Sequence, residues 1–202
     1  VVAIDGPSGS GKSTVSRRLA ATLGLAYLDT GAMYRAAAWW CEHEGIDLDD
    51  GAVVAEAVAA MPLHTGLDPE DPTFTVDGTD VSAAIRDPHI ATIVSKVATN
   101  LEVRAELARR QREIIRFEAT GHVGSFSEGA GIVAEGRDIT TVIAPDADAR
   151  LLLTASEEAR LARRAGDLET AGKQVDAAAL HDQVVRRDRD DSTVSQFLTA
   201  PE

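Results

Sequence analysis

The run Gly6-Pro7-Ser8-Gly9-Ser10-Gly11-Lys12-Ser13 constrains this chain more than any other stretch. It matches G-x-x-x-x-G-K-S/T, whose glycines let consecutive backbone N–H groups converge on phosphate oxygens. Lys12 offers a point charge to β- and γ-phosphates, and the Ser13 hydroxyl can ligate Mg²⁺. The flanks suit such a loop. Val1 to Ile4 is an apolar run ending at Asp5, which reads as a buried parallel strand. From Lys12 to Leu23, Val15, Leu19 and Leu23 recur at i, i+4 and i+8, which predicts a helix with one apolar face, closed by Gly24. That helix aims its N-terminus at the same anion. Gly6, Pro7, Ser8, Gly9, Ser10, Gly11, Lys12, Ser13 and Thr14 are therefore expected to form a nucleoside-triphosphate site.

The remaining pattern is that of an α/β chain. Ala26 to Asp29 reads as a second strand and Thr30 to Glu44 as a helix, so the chain opens strand, glycine loop, helix, strand, helix. Gly51 to Ala60 is a further helix. Pro62 to Val81 changes character, with three prolines, the alternating stretch Thr73-Phe74-Thr75-Val76 and the hairpin dipeptide Asp77-Gly78. It predicts a small antiparallel sheet of two or three strands. Asp87-Pro88 starts another helix, and a long one follows from about Asn100 to Ala119. Gly121 to Gly131 holds four glycines and is expected to be a mobile loop. Ile132 to Ala134 and Ala149 to Leu153 read as strands, Ser156 as a helix cap, and about Val175 to Asp190 as the last clear helix.

Charge marks a boundary. The 202 residues carry a formal net charge of −13, and the segment from Glu42 to Ile90, with twelve acids and one base, accounts for −11 of it. That segment reads either as a solvated face or as an insert. The acidic balance argues against a nucleic-acid binder. No apolar run suggests a membrane span, and no signal peptide opens the chain. A single cysteine, Cys41, excludes an intrachain disulfide and fits a cytoplasmic protein. The five histidines show no metal-ligand spacing.

Phosphate handling is also visible in the bases, which are 17 Arg and only 3 Lys. Arg160, Arg163 and Arg164 share a helix face, and Arg186, Arg187 and Arg189 cluster further on. Each cluster reads either as clamps on a moving phosphoryl group or as a solvated face with local acid partners. The lysines are Lys12, Lys96 and Lys173, and none sits in an Asn-Lys-x-Asp stretch, which argues against a switch GTPase. Glu135, at the end of the Ile132–Ala134 strand, reads either as a Mg²⁺ ligand or as a plain strand-end acid.

Three stretches together resemble the bacterial cytidylate (CMP/dCMP) kinase family, among P-loop nucleoside monophosphate kinases. They are Ile4-Asp5-Gly6 through Ser13, Leu28-Asp29-Thr30-Gly31-Ala32-Met33-Tyr34-Arg35, and Glu135-Gly136-Arg137-Asp138-Ile139. The resemblance runs from Val1 to about Ser192. It implies a three-layer α/β fold with a parallel sheet between helices. Residues 1–61 and 99–202 would form the kinase core, 62–98 an inserted monophosphate-binding subdomain, and about 160–175 a lid. It implies ATP as donor, Mg²⁺ as cofactor and CMP or dCMP as acceptor; separately, a monomer is expected. Arg35 and Arg137 would hold the CMP phosphate with Thr30 nearby. Ser95, Arg104 and Asp138 would read cytosine, and Arg186 and Asp190 would contact ribose. Lys12, Arg137, Asp138, Arg160 and Arg164 would be catalytic, with Arg163 in the same lid, and Ser13 and Glu135 would hold the metal.

Base chemistry agrees with that assignment. Cytosine offers a donor at N4 and acceptors at N3 and O2, which a carboxylate paired with an Arg complements. Uracil turns a carbonyl toward the carboxylate, and a site of this kind rejects the wrong base by up to about 10⁴-fold. Asp138 beside Arg137 reads alternatively as a structural ion pair. Kinases of UMP or dTMP, and a non-catalytic nucleotide-gated module, remain the other readings. One departure stands out: no Arg follows Arg189, where the family carries an Arg-containing stretch, a closing strand and a terminal helix. With the start at Val1, this predicts that the written sequence omits residues, most plainly after about Thr193.

Overall fold

Strand β1 (Val2–Asp5), strand β2 (Ala26–Asp29), strand β6 (Ile132–Gly136) and strand β7 (Ala149–Leu152) build the centre of a computed structural model that describes residues 1–170 and positions 181, 189, 192 and 193. All pairings are parallel, in the order β2-β6-β1-β7. The strands are short apolar runs because both sheet faces are covered, and their side chains alternate between two cores. Ala3, Ala26, Leu28, Ile132 and Ala134 enter the larger core, while Ile4, Tyr27 and Val133 enter a smaller one. In register, Asp5 lies opposite Gly136 and Asp29 opposite Glu135. The segments that follow these residues therefore emerge at one edge, the carboxyl ends of the strands, where ligands bind in open α/β sheets.

Helix α1 (Lys12–Leu23) covers the smaller core. Its buried residues are Ser16 and Ala20, not the expected stripe, since Val15 and Leu23 remain 44% and 55% exposed. Small side chains let this helix lie close on the sheet, and closeness outweighs apolar area here. Helix α2 (Thr30–His43), helix α3 (Gly51–Ala60), helix α4 (Pro88–Ala98) and helix α5 (Leu101–Ala119) pack around the larger core. Asp29, Asp50, Asp87 and Asn100 cap them, each side chain accepting an N–H of the first turn. Cys41 is buried in that core, and His43 stacks on Trp39.

The second sheet has three antiparallel strands, β3 (Leu63–Thr65), β4 (Phe74–Val76) and β5 (Thr79–Asp80). Asp77 and Gly78 both adopt positive φ, as a two-residue hairpin demands. Phe74, Val76, Val81 and Ile85 join the same cluster as Leu28 and Ile132, so this sheet shares its apolar core with the parallel one. The β3–β4 loop returns to the parallel sheet: Tyr27 N–H donates to Leu67 O, and Arg17 donates to the carbonyls of Pro69 and Glu70.

The glycine-rich stretch before β6 has one anchor point, where buried Glu118 accepts from Phe126 N, Ser127 N and Ser127 Oγ. After β6 a single π turn, Ile139–Ile143, appears where no element was expected. Helix α6 (Glu157–Thr170) begins as predicted, with Ser156 Oγ accepting from Ala159 N. The helix expected from Val175 lies outside the described residues. No helix among those described is long and apolar enough to cross a membrane.

Candidate active site

The carboxyl ends of β1, β2 and β6 open into a cleft of about 660 Å³, walled on the far side by Pro72, Phe74, Ile85 and Pro88. Its floor is the loop that follows Asp5. Gly6 has φ +152, and a Cβ there would lie 2.1 Å from the Leu153 carbonyl oxygen, so only glycine passes beside β7. Lys12 Nζ donates to the carbonyls of Gly6 and Pro7 at 2.7 and 3.0 Å, which turns its ammonium back over the loop.

Glu135 stands at the head of this loop, almost fully buried. Tyr27 donates its phenolic O–H to Glu135 Oε1 at 2.6 Å. Burial pushes the Glu135 carboxyl above the usual range, Asp29 adds to this, and Lys12, Ser13 and Tyr27 oppose it. Burial likewise raises the Tyr27 phenol, so it stays a donor. The hard oxygen atoms of Ser13 and Glu135 suit Mg²⁺, and a cation there would offset a carboxylate that burial disfavours.

A second group of side chains comes from α2 and the turn after β6. Asp29 caps α2 through Ala32 N and also grips Arg35, whose Nη2 donates to Asp29 Oδ2 at 2.9 Å. Arg35 and Arg137 both line the cleft. Thr30 is buried and donates to the Glu135 carbonyl at 2.7 Å. A Cβ on Gly136 would meet that same hydroxyl at 2.4 Å, so Gly136 lets α2 and β6 meet. Asp138 pairs with Arg104 of α5. Arg104 also donates to Ala98 O and lies over the Tyr34 ring, 5.8 Å from its centroid. Ser95 is half-buried on α4, on the helical face that carries Pro88 and Ala91 to the cleft.

The expected lid arginines close the loop from above. Arg160 donates to Ser8 O at 3.1 Å, and Arg163 donates to Gly9 O and Ser10 O at 3.2 and 3.0 Å. Arg164 belongs to α6, but its side chain, like all of Arg186 and Asp190, lies outside the described residues. Sequence reasoning missed Tyr27, Arg17 and Arg86, all of which line the cleft. It also missed Asp5, which lies beneath the turn that carries Arg137 and Asp138. The position of Asp5 just before Gly6 was the only local sign for any of them.

A family model for cytidylate kinase matches residues 2–201. A cytidylate kinase of Streptomyces avermitilis is 46% identical over 96% of this chain and 78% of its own length. One of Cutibacterium acnes is 48% identical over 98% of this chain and 82% of its own, and one of Streptomyces coelicolor is 47% identical over 96% and 78%. The P-loop, Asp29, Arg35 and Arg137 line one cleft, and the chain belongs to the cytidylate kinase family.

Proposed function

We propose that this chain transfers the γ-phosphoryl group of ATP to CMP or dCMP, giving CDP or dCDP. The carrying observation is the Arg104–Asp138 pair, whose carboxylate directly follows Arg137, a residue that lines the cleft together with Arg35. A carboxylate and a guanidinium held side by side present an acceptor and a donor to the cytosine edge. Both side chains are largely withdrawn from solvent, so a mismatched base would leave them unpaired. Ser95, on the face of α4 that carries Ala91, supports the same base subsite. Arg35 and Arg137 hold the acceptor phosphate, and Arg186 and Asp190 the ribose.

Residues 1–61 and 99–202 act as the core, 62–98 as the acceptor-binding insert, and about 160–175 as the lid. The phosphate loop, from Gly6 to Thr14, holds the donor. Lys12 and the lid arginines Arg160, Arg163 and Arg164 neutralise charge that spreads over the moving phosphoryl group, while the CMP phosphate attacks in line. Ser13 and Glu135 hold Mg²⁺, which when bound adds Lewis-acid neutralisation at that group. No protein nucleophile takes part. Closure of insert and lid excludes water and so limits ATP hydrolysis. The chain works as a monomer in the cytoplasm, where Cys41 stays reduced.

A coupled assay of ADP release against CMP, dCMP, UMP and dTMP tests this. CMP and dCMP are expected to dominate kcat/KM by at least about 10²-fold over UMP. Equal rates with CMP and UMP would defeat the cytosine assignment, and absence of any acceptor-dependent ADP release would point to a binding module.

A further inference from the structure

We propose that Asp5 and Thr140 are positioning residues for the acceptor base, setting the Arg137–Asp138 turn against the phosphate loop. The inference rests on the cytosine-reading role of Asp138 and extends it to residues that touch no substrate. Neither Asp5 nor Thr140 lines the cleft, and they are 2% and 1% exposed.

The Asp5 carboxylate accepts three hydrogen bonds. Ile139 N–H donates to Oδ1 at 3.0 Å, and Thr140 N–H and Oγ1 donate to Oδ2 at 2.8 and 2.6 Å. Ile139 and Thr140 immediately follow Asp138, so the chain is clamped at the first two residues past the base-reading carboxylate. The Asp138 carbonyl is held as well, accepting from Val142 N and Ile143 N at 2.9 and 3.0 Å to form the π turn. Such turns are rare and costly without outside support, and they recur at functional sites. The outside support here is a buried charge, and bonds to an ionised acceptor are about twice as strong as neutral ones.

Three donors converge on one side chain, so the acceptor capacity of a carboxylate is required. An Asn at position 5 would turn its own N–H₂ toward a backbone N–H or the Thr140 hydroxyl. Asp5 is also the residue directly before Gly6. One carboxylate therefore ties the start of the donor loop to the end of the acceptor turn, across 135 residues of sequence. In-line transfer depends on that relative placement to within about 0.5 Å.

Thr140→Val is the sharpest probe, because it removes one hydroxyl and keeps shape. It is expected to raise KM for CMP about ten-fold, the effect of one misplaced charged hydrogen bond. KM for ATP should change less than about two-fold, and the CMP/UMP ratio of kcat/KM should fall about ten-fold. Thr140→Ser, which keeps the hydroxyl, should restore wild-type selectivity. Asp5→Asn should show the larger version of the same split wherever it folds. The inference fails if the wild type is selective and Thr140→Val is equally selective, or if it loses CMP and ATP turnover in parallel with a fall in Tm. A wild type indifferent to the base would overturn the cytosine reading and this inference together, so the two failures differ.

Discussion

Gln111 sits on the buried face of α5, fully enclosed, and among the described residues neither its amide oxygen nor its amide nitrogen has a hydrogen-bond partner. A buried amide left in that state costs about 1–3 kcal/mol. Gln111→Met keeps length and removes the polar atoms, so it is expected to raise stability by about 1 kcal/mol in urea unfolding with unchanged CMP turnover. A loss of stability would show that the amide is satisfied after all. Residues of the other kind were readable in advance. Lys12, Arg35 and Asp138 lie in contiguous motifs, and the structure brings all three to one edge of the sheet. Asp5 and Glu118 were not readable as anchors. The partners of Asp5 are 134 and 135 residues away, and a lone acid carries no trace of such a pairing.

At the scale of elements, α5 does more than cover the sheet. Glu106 accepts from Arg110 Nε one turn on, and Arg110 in turn donates to the carbonyls of Val58, Ala59 and Met61, the open C-terminal end of α3. Hydrogen bonds from Arg109, then from Arg110, hold the Glu106 carboxyl down at about 2. A depressed carboxyl contributes stability that is complete above its ordinary pKa, near 4.5, and is lost as pH falls toward about 2. Glu106→Gln should therefore lower Tm at neutral pH, and its gap to wild type should narrow steadily between about pH 4.5 and pH 2. A gap independent of pH would assign Glu106 a packing role instead. Element boundaries themselves were legible wherever caps speak, as at Asp29, Asp50, Asp87 and Asn100. The inward face of α1 was not, since closeness to the sheet selected Ser16 and Ala20 over larger apolar neighbours. Nor was the π turn, which exists through its bonds to Asp5 rather than through local propensity.

Across the whole molecule, charge is sorted by place. The chain carries −13, yet the described lining of the cleft holds six bases, Lys12, Arg17, Arg35, Arg86, Arg137 and Arg163, against Asp29, Asp87 and Glu135. Of the twelve acids between Glu42 and Ile90, only Asp87 lines that cleft, while Asp49 pairs with Lys96 and Glu42 hydrogen-bonds His89 at the surface. A cationic cleft with low-dielectric walls concentrates nucleotide phosphates, while the anionic exterior repels long polyanions that cannot enter. The two effects respond differently to salt. Raising NaCl from about 0.05 to 0.5 M shortens the screening length from about 14 to 4 Å, so KM for CMP is expected to rise several-fold with kcat nearly constant. Heparin at matched charge concentration, held at the low salt, should leave the rate unchanged. Inhibition by heparin at low salt, or a KM for CMP flat across that range, would mean that the cleft is not electrostatically set apart from the acidic surface around it.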